Sequence, residues 1–155
     1  MGNVTFRPYR PADDEPALAA LMRGLDADAA NIRRTPEEHL ARTLTFLRTA
    51  GQDRALCALA EADDGALIGY ALLIPFWSGE YGGELFLLDE FYLTPDRRSQ
   101  GLGARFIAWI EETARRTGRV GITFGVVGGN PRAMRFYERL GYERLDLVTF
   151  DKLLR

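Results

Sequence analysis

Two carboxylates stand side by side in one of the most apolar stretches of this sequence, Asp89 and Glu90 within "LLDEFYL", residues 87–93. A near-continuous apolar run reads as a central, covered strand. A carboxylate placed there costs free energy unless it is solvated, paired or used, so at least one of the two should line a cavity. Alternation sets Asp89 on one face with Leu87, Phe91 and Leu93, and Glu90 on the other with Leu88 and Tyr92. Whichever carboxylate faces away from a ligand is expected to form a buried ion pair with an arginine.

The next stretch, "TPDRRSQGLGARFIAWIEE", residues 94–112, runs from a turn into an amphipathic helical pattern. Gly101 and Gly103 fall in the first helical turn, where backbone N–H groups have no intrahelical partner. Absent side chains let an anion approach those donors, the helix dipole favours it, and Arg97, Arg98 and Arg105 add charge nearby. The ligand this predicts is a phosphate or pyrophosphate. A Walker A loop is excluded because the stretch has no lysine. A dinucleotide fingerprint is excluded because Phe106 stands where its third glycine belongs. In a third stretch, "NPRAMRFYERLGY", residues 130–142, Asn130 and Pro131 open a helix whose stripe is Ala133, Phe136, Tyr137 and Leu140, and Gly141 ends it. Taken alone, Tyr137 reads as an aromatic at the edge of a core.

Elements that would position these residues follow from periodicity. "VTFRPYR" reads as a first strand; "PADDEPALAALMRGLD" and "TPEEHLARTLTFLRTAG" read as helices with stripes Leu18, Leu21, Leu25 and Leu40, Leu44, Leu47. "RALCALAEADDGALIGYALLIPFW" reads as two strands joined at Asp63-Asp64-Gly65. After "ELFLLDEFYLT" and the helix that follows it come a strand "RVGITFGVV", the helix at 131 and one or two strands in "YERLDLVTFDKLL". That order predicts one α+β domain, residues 1–155, with a mixed central sheet of six or seven strands, about four helices and a strand–helix–strand crossover in its second half.

Composition narrows the function classes. The 155 residues, 17.4 kDa in mass, fit a single domain large enough to bury a core without staples. The single cysteine, Cys57, has no partner within the chain and falls in an early strand, so it reads as a small core residue rather than a nucleophile. No signal-peptide pattern and no apolar run of membrane-spanning length is present, so a cytoplasmic protein is expected. All but one of the 20 basic residues are arginine, the exception being Lys152, and the net charge of -2 argues against nucleic-acid binding by bulk positive charge. His39, on the polar side of its helix, reads as a surface residue, and no ligand cluster suggests a metal.

Taken together, the three stretches resemble the GNAT superfamily of acetyl-CoA-dependent N-acetyltransferases. Its core motif is Arg or Gln, two residues, Gly, one residue, then Gly or Ala, present here as Arg98-Ser99-Gln100-Gly101-Leu102-Gly103. Its second motif is present as Asn130, Ala133, Phe136, Tyr137, Gly141 and Tyr142. Ser99 is a departure, since many relatives carry Gly there. The resemblance implies that residues 98–104, ending at Ala104, bind the pyrophosphate of coenzyme A. It also implies that the strand around Phe91, Tyr92 and Leu93 splays from its neighbour to pair with the pantetheine arm. Asn130 and Ala133 would meet the cofactor arm, and Tyr137 would lie near the thioester sulfur.

The roles follow from that resemblance. Asp89 matches a carboxylate that polyamine-type members carry, which would take a proton from the acceptor amine directly or through water, while Tyr137 would protonate the departing thiolate. Backbone N–H groups near Phe91 would polarise the acetyl carbonyl. The loop "FWSGEYGGE", residues 76–84, carries Glu80 and Glu84, which with Asp89 and Glu90 would favour a small cationic amine, as in the diamine and polyamine branch. Competing readings are an aminoglycoside or protein amine as acceptor, and an acetyl-CoA-binding sensor without turnover. A homodimer is expected from family habit, with no nucleic-acid or membrane partner.

Overall fold

The computed structural model describes residues 2–28, 34–51 and 53–154. Its elements are β1 (Val4–Pro8), α1 (Pro11–Ala27), α2 (Glu37–Thr49), β2 (Leu56–Ala62), β3 (Leu67–Ser78), β4 (Gly83–Leu93), α3 (Leu102–Arg116), β5 (Gly121–Thr123) and α4 (Pro131–Arg139). The described residues fall into two compact units, one up to Gly125 and one from Val126 onward.

The first unit holds a five-stranded sheet in the order β1-β2-β3-β4-β5. Its first four strands pair antiparallel, with α1 and α2 inserted between β1 and β2, and β5 returns parallel to β4 after the α3 crossover. One sheet face is covered by α1 and α2. Leu18, Leu21 and Met22 of α1 and Leu40, Leu44 and Leu47 of α2 pack there with Cys57, Leu59, Tyr70, Leu72 and Tyr92, and Leu25 packs partly buried at the margin. The other face receives α3, whose fully buried Phe106 stacks on Phe6 at 4.7 Å between ring centroids and meets Phe91 at 5.5 Å. Such aromatic pairs add about 1 kcal/mol each beyond the area they bury.

β1 is tied to this core by charge. Arg7 donates to both carboxylate oxygens of Asp14, at 2.7 and 2.8 Å, and its Nε donates to Glu61 on β2. The backbone N–H of Arg10 adds a third bond to Asp14, 2.7 Å long. Asp14 is buried, and its arginine partner holds its carboxyl below the ordinary range.

Two expectations need correction. Among the described residues the sheet has five strands, not six or seven. The strand expected over 119–127 is confined to Gly121–Thr123, and residues 143–154 form neither helix nor strand. A strand is stable only where a neighbour takes its backbone hydrogen bonds, and β5 meets β4 only from Leu85↔Gly121 to Leu87↔Thr123. The strands expected to end at Trp77 and to begin at Glu84 each run one residue further, to Ser78 and from Gly83, so a tight hairpin tip separates them.

Candidate active site

The β3–β4 ladder slips by one residue at the paired carboxylates. Glu90 pairs with Leu72 and Leu88 with Leu73, which leaves Asp89 as an extra, unpaired residue, a β-bulge. The bulge resets the alternation expected from sequence. Ile74, opposite Leu87, packs against the cluster under α1 and α2, as do Leu72, opposite Glu90, and Tyr70, opposite Tyr92. Because directly paired residues share a face, Leu87 joins Glu90 and Tyr92, whereas Leu88 joins the Phe91 face. The physical reason is that one inserted residue inverts the period-2 register downstream of it.

The bulge also gives the two carboxylates different surroundings. Asp89 is exposed, yet the protein around it raises its carboxyl above the usual range. Glu90 is half-buried and accepts a 2.8 Å hydrogen bond from the hydroxyl of the fully buried Tyr70. Burial raises the Glu90 carboxyl and the charge of Asp89 adds to the rise, outweighing the Tyr70 bond, which lowers it. Among the described residues neither carboxylate meets an arginine, so the ion pair expected for the one facing away is replaced by a phenol. Tyr70 was not singled out from sequence. The available signal was a tyrosine inside the apolar run "LIGYALLI", whose hydroxyl needs a partner when buried. Cys57 lies on the same face, where burial and the charges of Glu90 and Asp14 push its thiol up, making it a poor nucleophile.

Beyond Leu87 the β4–β5 ladder ends, so the edge of β4 from Leu88 to Leu93 faces no β5 partner. Past that edge the chain makes a single 3-10 turn, Pro95–Arg97, and enters α3 through residues 98–101. Ser99 and Gly101 both have positive φ, 62° and 75°. Gly101 is the N-cap of α3 and no side chain caps the helix; a Cβ built at Gly101 meets nothing within 4 Å. The N-terminus of α3 thus has no side-chain cap and free space beside Gly101, as an anion cradle requires. The arginines nearby do not all face it. The Arg98 side chain bonds the carbonyl of Leu93 and the carboxylate of Asp28, Arg97 pairs with Asp96, and Arg105 donates to the carbonyl of Val4. Gln100 donates its side-chain amide to the carbonyl of Asp96.

The second unit shows why its motif has those residues. The side-chain oxygen of Asn130 accepts from the N–H of Ala133 at 3.0 Å, capping α4, with Pro131 in the first turn. At the other end Gly141, at φ 87°, donates to the carbonyl of Glu138 and Tyr142 donates to that of Tyr137. Those two bonds make a Schellman cap, which asks for glycine at the left-handed position. The ring of Tyr137 is edge-on to both Phe136 and Tyr142, with centroids 5.0 and 5.8 Å away. Burial pushes its phenol up to about 12.

Glu80 and Glu84 are not brought beside Asp89. Glu80 is at the exposed hairpin tip and Glu84 pairs with Arg119 at 3.0 Å. Glu84 precedes Asp89 by five residues of strand, roughly 17 Å of extended chain.

The motif geometry has a known counterpart, for the sequence pattern of the acetyltransferase (GNAT) family matches residues 20–142. The chain belongs to the GNAT family. Among relatives, an uncharacterized N-acetyltransferase of Bacillus subtilis (strain 168), YhfO, is 26% identical over 98 residues, 63% of this chain and 66% of that protein. A thialysine N-epsilon-acetyltransferase of Bos taurus is 31% identical over 90 residues, 58% of this chain and 52% of that protein. The matches thus span about half to two thirds of these relatives' own lengths. The GNAT fold is shared by aminoglycoside N-acetyltransferase AAC(6')-Iy, solved in complex with CoA, with TM-score 0.81, 17% identity and coverage of 99% of this chain and 96% of that one. The open cradle at Gly101 and the unpaired edge of β4 fit the acetyl-CoA that GNAT folds use. Among the described residues no helix is long and apolar enough to cross a membrane.

Proposed function

We propose that this GNAT protein transfers the acetyl group of acetyl-CoA to the primary amine of a small cationic acceptor. The observation that carries this reading is Asp89, an exposed carboxylate on the β3–β4 bulge, in the part of β4 beyond its pairing with β5, with its affinity for a proton raised. Bound acetyl-CoA supplies an acetyl group activated as a thioester. The loop 98–104 holds its pyrophosphate, with the backbone donors at the start of α3, and the edge of β4 at Phe91, Tyr92 and Leu93 pairs with the amide-bearing arm. Asn130 and Ala133 are assigned to that arm by their motif.

An alkyl ammonium with a lysine-like pKa is neutral in only about one part in a thousand at pH 7, and only the neutral form attacks. Asp89 takes the proton, and its raised pKa makes it a stronger base than an ordinary carboxylate. As the N–C bond forms and the C–S bond breaks, Tyr137, protonated at neutral pH, returns a proton to sulfur. Backbone N–H groups near Phe91 polarise the carbonyl. Asp89 and Glu90 together favour a cationic acceptor. The relative that acts on thialysine supports a lysine-like or diamine acceptor, and the likeness to AAC(6')-Iy supports an aminoglycoside amine as a second reading. We place the protein in the cytoplasm as a homodimer.

Acetyl-CoA-dependent thiol release across diamines, spermidine, lysine analogues, aminoglycosides and peptides tests this directly. Saturable turnover is expected with a small cationic class. Tight acetyl-CoA binding with no turnover on any class would replace the enzyme with a sensor.

A further inference from the structure

We propose that Asp28 is a positioning residue for the cofactor cradle, acting through Arg98. This rests on the reading that residues 98–104 hold the pyrophosphate of acetyl-CoA. Arg98 opens the glycine motif, and its charge suggests a direct phosphate ligand. The structure gives its side chain other work. Its Nε donates to the carbonyl of Leu93, the last residue of β4, at 2.8 Å. Its terminal nitrogen pairs with the carboxylate of Asp28, and its guanidinium lies 5.3 Å from the ring centroid of Tyr92.

Those contacts gather three elements at one point. Asp28 is the C-cap of α1, its N–H bonded to the carbonyl of Gly24 at 3.0 Å. At Gly24 β4 approaches α1 closely, because a Cβ there would lie 2.7 Å from the hydroxyl of Tyr92. The end of α1, the end of β4 and the start of the loop are therefore held together by one guanidinium. A loop with two left-handed residues within three positions, Ser99 and Gly101, needs such an anchor. Left-handed geometry crowds the Cβ of any residue but glycine, so Ser99 does not adopt it by local preference.

The two roles for Arg98 predict opposite signs at Asp28. If Arg98 were a phosphate ligand, removing Asp28 would free a cation and delete an anion beside the cradle, and acetyl-CoA would bind more tightly. If Asp28 and Arg98 form a clamp, the same change loosens the cradle and weakens binding. Arg98→Lys keeps the charge but loses the planar fork that spans Leu93 and Asp28.

Calorimetric titration of acetyl-CoA, with amide hydrogen exchange of residues 99–104 in the ligand-free protein, decides between them. Asp28→Asn and Arg98→Lys are each expected to weaken binding about three- to fivefold, the scale of a partly exposed ion pair, and to speed exchange in the loop. For Asp28→Asn the KM for acetyl-CoA should rise with kcat at saturation retained. Unchanged or tighter binding by Asp28→Asn, with unchanged exchange, would overturn the clamp. If the wild type fails to bind acetyl-CoA, the proposed function falls, while the exchange comparison still reports whether the clamp holds the loop.

Discussion

Asp89 and Glu90 are adjacent in the chain but differ in surroundings, and the difference is measurable as pH dependence. As the proposed base, Asp89 would work only when ionised, and its raised pKa would place the acid limb of kcat/KM above the ordinary aspartate value of about 3.9. Activity should rise with pH through that limb. Asp89→Asn is expected to lower kcat/KM by about 100-fold or more and to abolish the limb; persistence of the limb would transfer the role to Glu90 or water. Tyr137 belongs to the same scale. With its phenol raised to about 12 it stays protonated across the working range. Tyr137→Phe should therefore slow acetyl transfer, measured by single-turnover kinetics, while acetyl-CoA affinity measured by calorimetry is retained. Turnover unchanged by that substitution would remove Tyr137 as the acid. Ser99 shows how a departure from the family pattern reads in structure. At φ 62° it occupies a position where glycine costs less, which is a physical reason for the glycine that relatives carry there.

At the scale of elements, two junctions carry predictions. The N-terminus of α3 offers donors without a side-chain cap, so a negative charge placed at Gly101 should compete with the ligand. Gly101→Asp and Gly101→Asn share size and both occupy a left-handed position, so strain is common to them and charge is not. Asp is expected to weaken acetyl-CoA binding by tenfold or more relative to Asn, read by calorimetry; equal affinities would reject the cradle. The second junction is Arg7, Asp14 and Glu61, which joins β1, α1 and β2. Asp14→Asn removes the buried carboxylate and leaves the half-buried Arg7 guanidinium with only Glu61 as a charged partner, and is expected to cost about 3 kcal/mol in urea denaturation. Because the folded pKa of Asp14 is lowered, its stabilisation is fully present above the unfolded value of about 3.9 and is lost as pH falls through the folded value. The wild type should lose stability down that window, and the variant should lose less.

For the whole molecule, assembly is the open quantity. Large apolar side chains stay exposed after the last helix, among them Val148 at 78% and Phe150 at 89%. A second copy is our proposed cover for them. Sedimentation equilibrium should give twice the 17.4 kDa chain mass, and Phe150→Ser should shift the balance to monomer. A monodisperse wild-type monomer at working concentration would refute the dimer. The family match over residues 20–142 reaches into both compact units, so the family assignment does not rest on either unit alone.

Much of this protein was legible in the chain because the deciding forces are local. Stripes at Leu18 and Leu21 and at Leu40, Leu44 and Leu47 marked the buried faces of α1 and α2. Gly101 marked the start of α3, Gly141 the end of α4, and Asn130-Pro131 a helix start. The α+β order and the family motifs follow from such signals. The bulge at Asp89 and the bond from Tyr70 to Glu90 were decided by tertiary structure. Each depends on which residue of a distant strand lies opposite, and register is set by packing across the sheet rather than by neighbours in the chain. The same holds for Arg98. Its type and position suggested a phosphate ligand, and only the arrival of Asp28 from the end of α1 turned its guanidinium to holding the loop in place.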